Sequence, residues 1–298
     1  MLRLTGSLGI MAILPHVASA EEPQGRATAL AFEGTALVLA TDMALWRSED
    51  GGADWTKLPS DPGLQVQALA THPDRPGWLL AAAEAGGVAL SEDGGSSWTQ
   101  LASGLPELPT MDIVVAAEKP DTVYVAVAGD GLWQSQDAGV TWSLAMDRPW
   151  LDEAERDLLA LASVNSPSGM GGIWVYAGTE VGLTRVPDCF CRWQDVEPGN
   201  AMDALVAGEA PAPVTPLPLG EAVLDLALAP EAPDVIQAAT SSGLWRTEDA
   251  GVNWTQTSTT PTQALAVDPL DPDHIVAATE GGILTSRDGG LTWAEPGA

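Results

Sequence analysis

The stretch SQDAGVTW at residues 135–142 has the form S-x-D-x-G-x-T-W, and we name this octapeptide the box because it recurs along the chain. Close copies lie at 48–55 (SEDGGADW), 91–98 (SEDGGSSW), 247–254 (TEDAGVNW) and 286–293 (SRDGGLTW), and a sixth copy at 186–193 (VPDCFCRW) keeps only the aspartate and the tryptophan. The aspartates follow one another at intervals of 39 to 61 residues and are Asp50, Asp93, Asp137, Asp188, Asp249 and Asp288. Repeats of this length that hold several short strands are typical of propellers and arrays, because one unit cannot bury its apolar face alone.

The box has the chemistry of a tight turn between two strands. Aspartate and serine side chains bond nearby backbone groups, and a glycine two places after the aspartate supplies a positive φ angle. The pattern resembles the Asp-box, or bacterial neuraminidase repeat, of sialidases, sortilin-type receptors, xyloglucan-cleaving glycosidases and exported photosystem II assembly factors. In those families the box joins the third and fourth strands of a propeller blade, on the face away from the active site. The resemblance therefore implies a structural role for all six aspartates.

Period-2 alternation and Gly/Pro punctuation predict four short strands in each repeat. The six units start, in chain order, near Ala27, Val66, Met111, Leu158, Ala222 and Gln263. We therefore predict an all-β propeller of six four-stranded blades, with seven blades as the alternative. The sequence shows no obvious overlapping strand that would lock the ring.

The first residues of the chain have the pattern of a secretory signal peptide. A basic residue, Arg3, precedes an apolar run at 4–14 and a cleavage pattern, A-S-A, at 18–20. We expect residues 1–20 to be a signal peptide, residues 21–298 to form one propeller domain, and the mature protein to be periplasmic or secreted. No apolar run in the mature chain is long enough to predict a membrane span.

The chain is strongly acidic, with 41 Asp and Glu residues against 12 Lys and Arg residues and a net charge of −29. Such a surface repels nucleic acid and anionic lipid headgroups, so we expect neither as a partner. It suits a cationic partner, and it equally suits general adaptation to salt. The sequence is compatible with both interpretations.

The chain has two cysteines, Cys189 and Cys191, both in the sixth copy of the box. In an oxidising compartment they can form a strained, easily reduced disulfide. Free structural thiols and Cu(I) binding are the alternatives. The sequence contains no haem motif and no four-cysteine zinc motif, and we predict no cofactor.

Two insertions interrupt the repeats, both between the fourth strand of one unit and the first strand of the next. Residues 146–157 (MDRPWLDEAERD) suggest a short helix over 151–156, and residues 197–220 are rich in proline and alanine. Propeller topology places both insertions opposite the boxes, on what we name the loop face. Long loops on a rigid scaffold commonly carry binding sites, although such insertions are also tolerated without a function. The candidate contact residues here are Trp150, Arg148 and Arg156.

Acidic side chains recur in the turns between second and third strands, which also open on the loop face. The five are Asp42, Glu84, Asp130, Glu180 and Glu280. In a closed ring they form a crown of carboxylates around the channel mouth, suited to a cation, an amine or a basic protein segment. Turns in so acidic a chain also favour acidic residues for structural reasons alone.

The catalytic residues of the resembling enzymes are largely missing. Sialidases need three arginines that converge on a substrate carboxylate, and only Arg148 and Arg156 occupy loops on the loop face. A glycosidase that uses two carboxylates stays open, with Asp130 and Glu180 as weak candidates. The sequence has no G-x-S-x-G, H-E-x-x-H or P-loop motif.

We therefore expect an exported, non-catalytic propeller that binds a protein or glycan through its loop face, for example in the assembly of an envelope complex. The alternatives are a glycoside hydrolase, either sialidase-like or with two carboxylates, and a copper-handling protein that uses Cys189 and Cys191. The photosystem II assembly factors carry a basic patch that this acidic chain does not reproduce, which argues against that specific role. The sequence indicates no oligomeric state.

Overall fold

The computed structural model describes residues 22–60, 62–63, 65–101, 104–168, 172–198, 206–208 and 214–297. In these residues the chain forms 24 β-strands, arranged as six antiparallel sheets and one separate hairpin. The predicted signal peptide lies outside the described residues and stays a prediction. Within the described part of the chain, no helix has the length and apolar character needed to cross a membrane.

Four of the sheets, which form blades 1, 2, 3 and 5, have four strands in consecutive order. Blades 1 and 2 consist of β1 (Ala27–Glu33), β2 (Ala36–Thr41), β3 (Leu45–Ser48) and β4 (Thr56–Lys57), then β5 (Val66–Thr71), β6 (Leu79–Ala83), β7 (Val88–Ser91) and β8 (Thr99–Leu101). Blade 3 consists of β9 (Thr110–Ala116), β10 (Lys119–Val127), β11 (Gly131–Ser135) and β12 (Ser143–Met146). The hairpin that follows consists of β13 (Trp150–Leu151) and β14 (Ala154–Glu155).

Blades 4 and 6 have three strands each. Blade 4 consists of β15 (Leu158–Val164), β16 (Trp174–Thr179) and β17 (Gly182–Pro187). Blade 5 consists of β18 (Val223–Ala227), β19 (Ile236–Thr240), β20 (Gly243–Thr247) and β21 (Thr255–Ser258), and blade 6 of β22 (Ala264–Asp268), β23 (Asp271–Thr279) and β24 (Gly282–Ser286). In place of a fourth strand, single bridges join Arg185 to Gln194 in blade 4 and Thr285 to Ala294 in blade 6.

The first strand of each blade is innermost and packs against the first strands of both neighbours. These contacts run from β1 through β5, β9, β15, β18 and β22 back to β1, so six blades close the ring. Between blades 6 and 1, Leu30 and Phe32 share an apolar core with Ala264 and Ala266, and His274 meets the Phe32 ring edge-on at 5.2 Å. The prediction of a six-bladed all-β propeller is confirmed. Among the described residues, the ring closes by packing and no strand is shared between its ends.

The second strands of the blades are the most deeply buried. Every residue of β2 (ALVLAT), β6 (LLAAA) and β16 (WVYAGT) is buried. A strand between two neighbouring blades packs on both of its faces, so its sequence is continuously apolar or small and does not alternate. This packing holds the loops at the ends of the blades on a rigid frame.

The five well-matched copies of the box share one hydrogen-bond pattern. In the third copy, the Ser135 hydroxyl donates to Asp137 Oδ1 at 2.8 Å and accepts from the Gly139 N–H at 2.8 Å, and Asp137 also accepts from Thr141. The Thr141 hydroxyl and N–H hold the pKa of Asp137 below its usual value. In four of the copies the tryptophan indole donates to the carbonyl of the glycine that lies two residues after the aspartate. The side chains that define the box are therefore occupied within the turn.

Each of these boxes also packs against the preceding blade. A Cβ added at Gly139 would lie 2.9 Å from Leu101 Cδ1, and one added at Gly95 would lie 2.7 Å from Leu58 Cδ1. Both glycines have positive φ angles, which disfavour other residues. The box therefore requires glycine both for its own turn and for the join between blades.

The sixth copy of the box does not form this turn. The Asp188 backbone N–H donates to the Ile173 carbonyl, and its carboxylate lies 3.9 Å from Lys119 Nζ. The Trp193 indole donates to the Asp147 carbonyl at 2.7 Å. This copy therefore links blade 4 to blade 3 through contacts of its own.

Candidate functional site

The first insertion forms a β-hairpin, so the predicted helix over 151–156 is wrong. Trp150 pairs with Glu155 and Leu151 with Ala154, and the two residues between them, Asp152 and Glu153, have φ angles of 50° and 61°. Two consecutive positive φ angles are characteristic of a type I′ turn, whose twist matches that of the paired strands. We name residues 146–157 the insertion hairpin.

One end of the insertion hairpin is fixed by Arg148. Its guanidinium pairs with Glu155 and with Asp157, the latter at 3.2 Å. Asp157 also accepts a hydrogen bond of 2.9 Å from the Gly129 N–H, in the second-to-third-strand turn of blade 3. The hydrogen bond to Asp157 raises the pKa of Arg148. Arg148 therefore ties the hairpin to the loop face of blade 3.

The other arginine of the hairpin connects it to blade 4. Arg156 Nη1 lies 3.8 Å from Glu180, in the second-to-third-strand turn of blade 4, and Arg156 Nη2 lies 3.5 Å from Asp152. Both arginines that the sequence offers as contact residues thus have acidic partners inside the protein. Their structural effect is to hold the hairpin across blades 3 and 4.

Trp150 extends from this braced hairpin into solvent. Its side chain is 69% exposed, whereas Trp55, Trp142 and Trp254, in the boxes of blades 1, 3 and 5, are buried. A large aromatic ring held on a rigid hairpin loses little conformational freedom when it is covered by a partner. The exposed ring is therefore accessible, and the role of Trp150 as a contact residue stays a prediction.

The second insertion is described only in part, because residues 199–205 and 209–213 lie outside the described residues. Thr215 is hydrogen-bonded to two residues of the box at 247–254, in blade 5, since its N–H donates to Asn253 and its carbonyl accepts from the Trp254 N–H at 2.7 Å. Leu217 is buried between blades 4 and 5, whereas Leu219 is 94% exposed. The described C-terminal part of this insertion therefore contacts the box of blade 5, so the expectation that the insertion lies opposite the boxes is wrong for these residues.

The five predicted crown residues occupy second-to-third-strand turns, as expected from the repeats. Asp42, Glu84, Glu180 and Glu280 are exposed, and Asp130 is half-buried and accepts a hydrogen bond of 2.6 Å from its own blade's Trp133 indole. The cavities along the ring axis are lined by other residues, from the first strands. The crown residues therefore do not form the channel wall. Asp130 and Glu180, the weak catalytic candidates, each have a separate local partner.

Two carboxylates that the sequence analysis missed lie inside the channel. Asp112 of β9 and Asp225 of β18 line a cavity of about 70 Å³ at the end of the axis where the first strands begin. Each reaches the next blade: Asp112 accepts from the Leu161 N–H at 2.5 Å, and Asp225 accepts from the Leu265 N–H at 2.8 Å. These carboxylates satisfy backbone groups at the inner edges of blades 4 and 6.

The channel strongly disfavours the charged forms of both residues. Burial, together with the charge of Asp225, raises the pKa of Asp112 to about 8. Burial raises the pKa of Asp225 to about 6, although the hydrogen bonds that it accepts from two backbone N–H groups act to lower that pKa. The equivalent positions in the other blades, identified from strand pairing, hold alanine and are Ala29, Ala68, Ala160 and Ala264.

The remaining arginines do not form a carboxylate-binding site. Arg47 pairs with Glu33 at 2.7 Å, and Arg246 pairs with Asp273 at 2.7 Å. Arg185 lies over the Trp174 ring at 4.2 Å. These three side chains brace the blades and do not converge on one point.

Cys189 and Cys191 form a disulfide, so neither thiol is free to bind copper in this state. Among the described residues, no three His, Cys, Asp or Glu side chains come together in a way that could hold a metal ion. Of the alternatives left open by the sequence, the structure contains the disulfide.

Comparison with known proteins gives the fold and no family, since no known protein family and no curated protein matches the sequence. The GH74 xyloglucanase from Xanthomonas campestris superimposes with a TM-score of 0.57 at 21% identity, over 89% of this chain and 45% of the enzyme. The chain thus spans less than half the length of that enzyme.

Two smaller propellers match over most of both chains. YCF48 bound to D1 peptide has a TM-score of 0.53 at 17% identity, over 96% of this chain and 87% of YCF48. The beta-propeller domain of Cps50 (Swd1) from Myceliophteria thermophila has a TM-score of 0.53 at 13% identity, over 89% of this chain and 97% of that domain. Identities this low establish a shared β-propeller fold and nothing further.

Proposed function

We propose that this chain is an exported, non-catalytic propeller that binds a partner protein through the insertion hairpin on its loop face. The observation that carries the proposal is Trp150, an exposed aromatic side chain on a hairpin that ion pairs fix to two blades. Export follows from the signal-peptide pattern of residues 1–20. The propeller domain spans residues 21–298.

The recurring boxes support membership of the Asp-box propellers. Their five-fold repeated hydrogen-bond pattern, centred on Ser135 and Asp137 in the third copy, uses the residues by which the sequence resembles that family. Because those side chains form hydrogen bonds within the turns, we expect a partner protein to bind at other surfaces. A protein partner agrees with the peptide complex of YCF48, a structural neighbour of this chain.

The charge and the exposed apolar area of the surface indicate which kind of partner protein fits. The net charge of −29 disfavours nucleic acid and anionic membranes and favours a basic protein segment. An exposed indole adds apolar area at the contact. A protein with an apolar patch surrounded by lysine or arginine therefore fits the hairpin best.

The proposal is tested by affinity capture from the native cell envelope with mild crosslinking. The intact protein is compared with Trp150→Ala and with Val140→Ala, a matched loss of an exposed apolar side chain on the third box. We expect a discrete partner with the intact protein and with Val140→Ala, and a loss of most of it with Trp150→Ala. Equal recovery with all three proteins would contradict a binding role for the hairpin.

A glycoside hydrolase is the second candidate, because the fold is shared with a xyloglucanase. It predicts hydrolysis of soluble xyloglucan that is lost in Asp130→Asn and Glu180→Gln. Hydrolysis by the intact protein that these two substitutions abolish would replace the scaffold proposal. Hydrolysis that persists in both variants would move the candidate site elsewhere.

A further inference from the structure

The third strand of blade 4 has an outer edge that is mostly unpaired. In blades 1, 2, 3 and 5, one equivalent residue of the third strand is paired with, or hydrogen-bonded to, a residue of the fourth-strand segment. The four pairs are Leu45 with Leu58, Val88 with Leu101, Leu132 with Met146, and Leu244 with Ser258. The matching residue in β17 is Leu183, which pairs with Gly178 on its inner side. On the outer side of β17, the backbone pairing found among the described residues is the bridge from Arg185 to Gln194.

The hydrogen bonds of that bridge show which way the free groups point. The Arg185 N–H donates to the Gln194 carbonyl at 3.0 Å, and the Gln194 N–H donates back at 2.8 Å. Backbone groups of an antiparallel strand alternate between its two edges, so the N–H and C=O of Leu183, two residues away, face the same outer edge. Among the described residues neither group has a hydrogen-bond partner, although edge strands with free groups readily accept a further strand.

The free edge opens into a groove between blades 4 and 5. The groove has a volume of about 600 Å³ and occupies the place where a fourth strand of blade 4 would run. Its apolar walls include Leu183, Val196, Leu217, Leu219 and Trp254, and Leu151 of the insertion hairpin lies at one end. The matching residue of blade 6, Ile283, packs against the core that joins blades 6 and 1, as Leu183 packs against the core between blades 4 and 5.

The charge of the groove is acidic. Asp152 and Asp195 are the charged residues that line it, and no basic residue is among its lining residues in the described part of the chain. A carboxylate on each side of an apolar groove favours a lysine or arginine at the ends of an apolar segment. The net charge of the whole protein acts in the same direction.

We propose that an extended segment of a partner protein pairs with β17 and becomes the fourth strand of blade 4. The segment has alternating apolar side chains and at least one lysine or arginine. Main-chain hydrogen bonds to Leu183 supply the pairing, the groove takes the apolar side chains, and Asp152 and Asp195 select the charge. This inference rests on the proposed protein-binding function, and it names a second surface beside the insertion hairpin.

The first test uses a phage-displayed library of random heptapeptides, selected against the whole protein. We expect enriched peptides with a basic residue and alternating apolar residues. Added to the protein, they should slow amide hydrogen exchange at Leu183 about tenfold or more and leave Ile283 unchanged, as measured by NMR. No enrichment, or enriched peptides that leave exchange at Leu183 unchanged, would overturn the proposal.

The second test reverses charges. Asp195→Arg and Asp152→Arg should each weaken binding of an enriched peptide by about two- to fivefold, the range of single exposed ion pairs. Asp54→Arg, the same change at an exposed position in the first box, should have no such effect. Equal weakening by all three variants would mean that only the overall charge matters, which contradicts a specific groove.

The protein's own chain is the competing occupant of the groove. A variant with residues 199–213 replaced by a Gly/Ser linker separates the two cases. We expect fast exchange at Leu183 in both the intact protein and this variant without peptide. If exchange at Leu183 is slow in the intact protein and fast in the linker variant, residues 199–213 occupy the edge. That result would overturn the proposal.

Affinity capture distinguishes this proposal from the broader one. If the captured partner is lost with both Trp150→Ala and Asp195→Arg, the hairpin and the groove bind together. Loss with Trp150→Ala and full recovery with Asp195→Arg would leave the proposed function standing and refute strand addition.

Discussion

Replacing Asp112 with alanine removes a carboxyl group from the ring channel. Burial and the charge of Asp225 raise the pKa of Asp112 from 3.8 to about 8 in the folded chain. Between about pH 4 and pH 8 the folded chain therefore holds a proton that the unfolded chain has released. Raising the pH through this window favours the unfolded chain, so stability is highest at the acidic end of the window.

The size of the effect follows from the width of the window. One proton changes the free energy of unfolding by about 1.4 kcal/mol for each pH unit, so the loss from pH 4 to pH 8 is on the order of 5 kcal/mol. Alanine is a suitable replacement because the matching position is alanine in four other blades. The substitution leaves the Leu161 and Ile113 N–H groups without this acceptor, at a cost of about 1–3 kcal/mol for each that does not depend on pH.

The assay is urea denaturation at several pH values between 4.5 and 8. We expect the free energy of unfolding to fall steeply with pH in the intact protein and less steeply in Asp112→Ala, so that the variant gains relative stability toward pH 8. Asp54→Ala, which removes an exposed carboxylate, should run parallel to the intact protein. Equal slopes for Asp112→Ala and the intact protein would refute the assignment of this proton to Asp112.

Three further predictions concern the boxes and the disulfide. Gly139→Ala should lower the free energy of unfolding by about 1–3 kcal/mol in urea denaturation, because its φ is 92° and the added methyl meets the preceding blade; an unchanged midpoint would contradict the join between blades. Hydrogen bonds from Thr292 lower the pKa of Asp288 to about 2, so its stabilisation is lost as the pH falls from about 4 toward 2, and Asp288→Asn should flatten the acid limb of the stability profile. A thiol reagent should find no free thiol in the denatured, unreduced protein and two after reduction, because Cys189 and Cys191 are paired; two thiols before reduction would contradict the disulfide.

The architecture was predictable because the box carries its own structural requirements. Serine, aspartate and glycine at fixed spacing are needed to close the turn, so five sequence matches locate five blades. The predicted blade starts at Ala27, Val66 and Leu158 coincide with the first residues of β1, β5 and β15. Blade 4 was found from one aspartate and one tryptophan, Asp188 and Trp193, although this copy of the box forms different contacts.

The insertion hairpin was mispredicted because local composition and turn geometry favoured different structures. The residues between Leu151 and Arg156 include good helix formers, and no glycine or asparagine signals a type I′ turn. The structure places Asp152 and Glu153 at positive φ, where ion pairs from Arg148 and Arg156 to neighbouring turns hold the hairpin. Such contacts depend on which blades are adjacent and are not visible in a local pattern.

The channel carboxylates were detectable in principle but were obscured by the acidity of the chain. An alignment of the first strands places Asp112 and Asp225 where the other repeats have alanine, and that contrast is the available signal. The unpaired edge at Leu183 had no comparable signal. The edge is unpaired because the chain stops pairing with β17 after Gln194, and this is visible only in the strand pairing of the structure.

The most direct measurement of the central claim is site-specific photocrosslinking in the native cell envelope. A photoreactive amino acid replaces Trp150 on the insertion hairpin in one protein and Val140 on the third box in another, two apolar positions that are both exposed. The account predicts a discrete crosslinked protein from position 150 and none from position 140. The same product from both positions, or a product from position 140 alone, would contradict partner binding at the loop face.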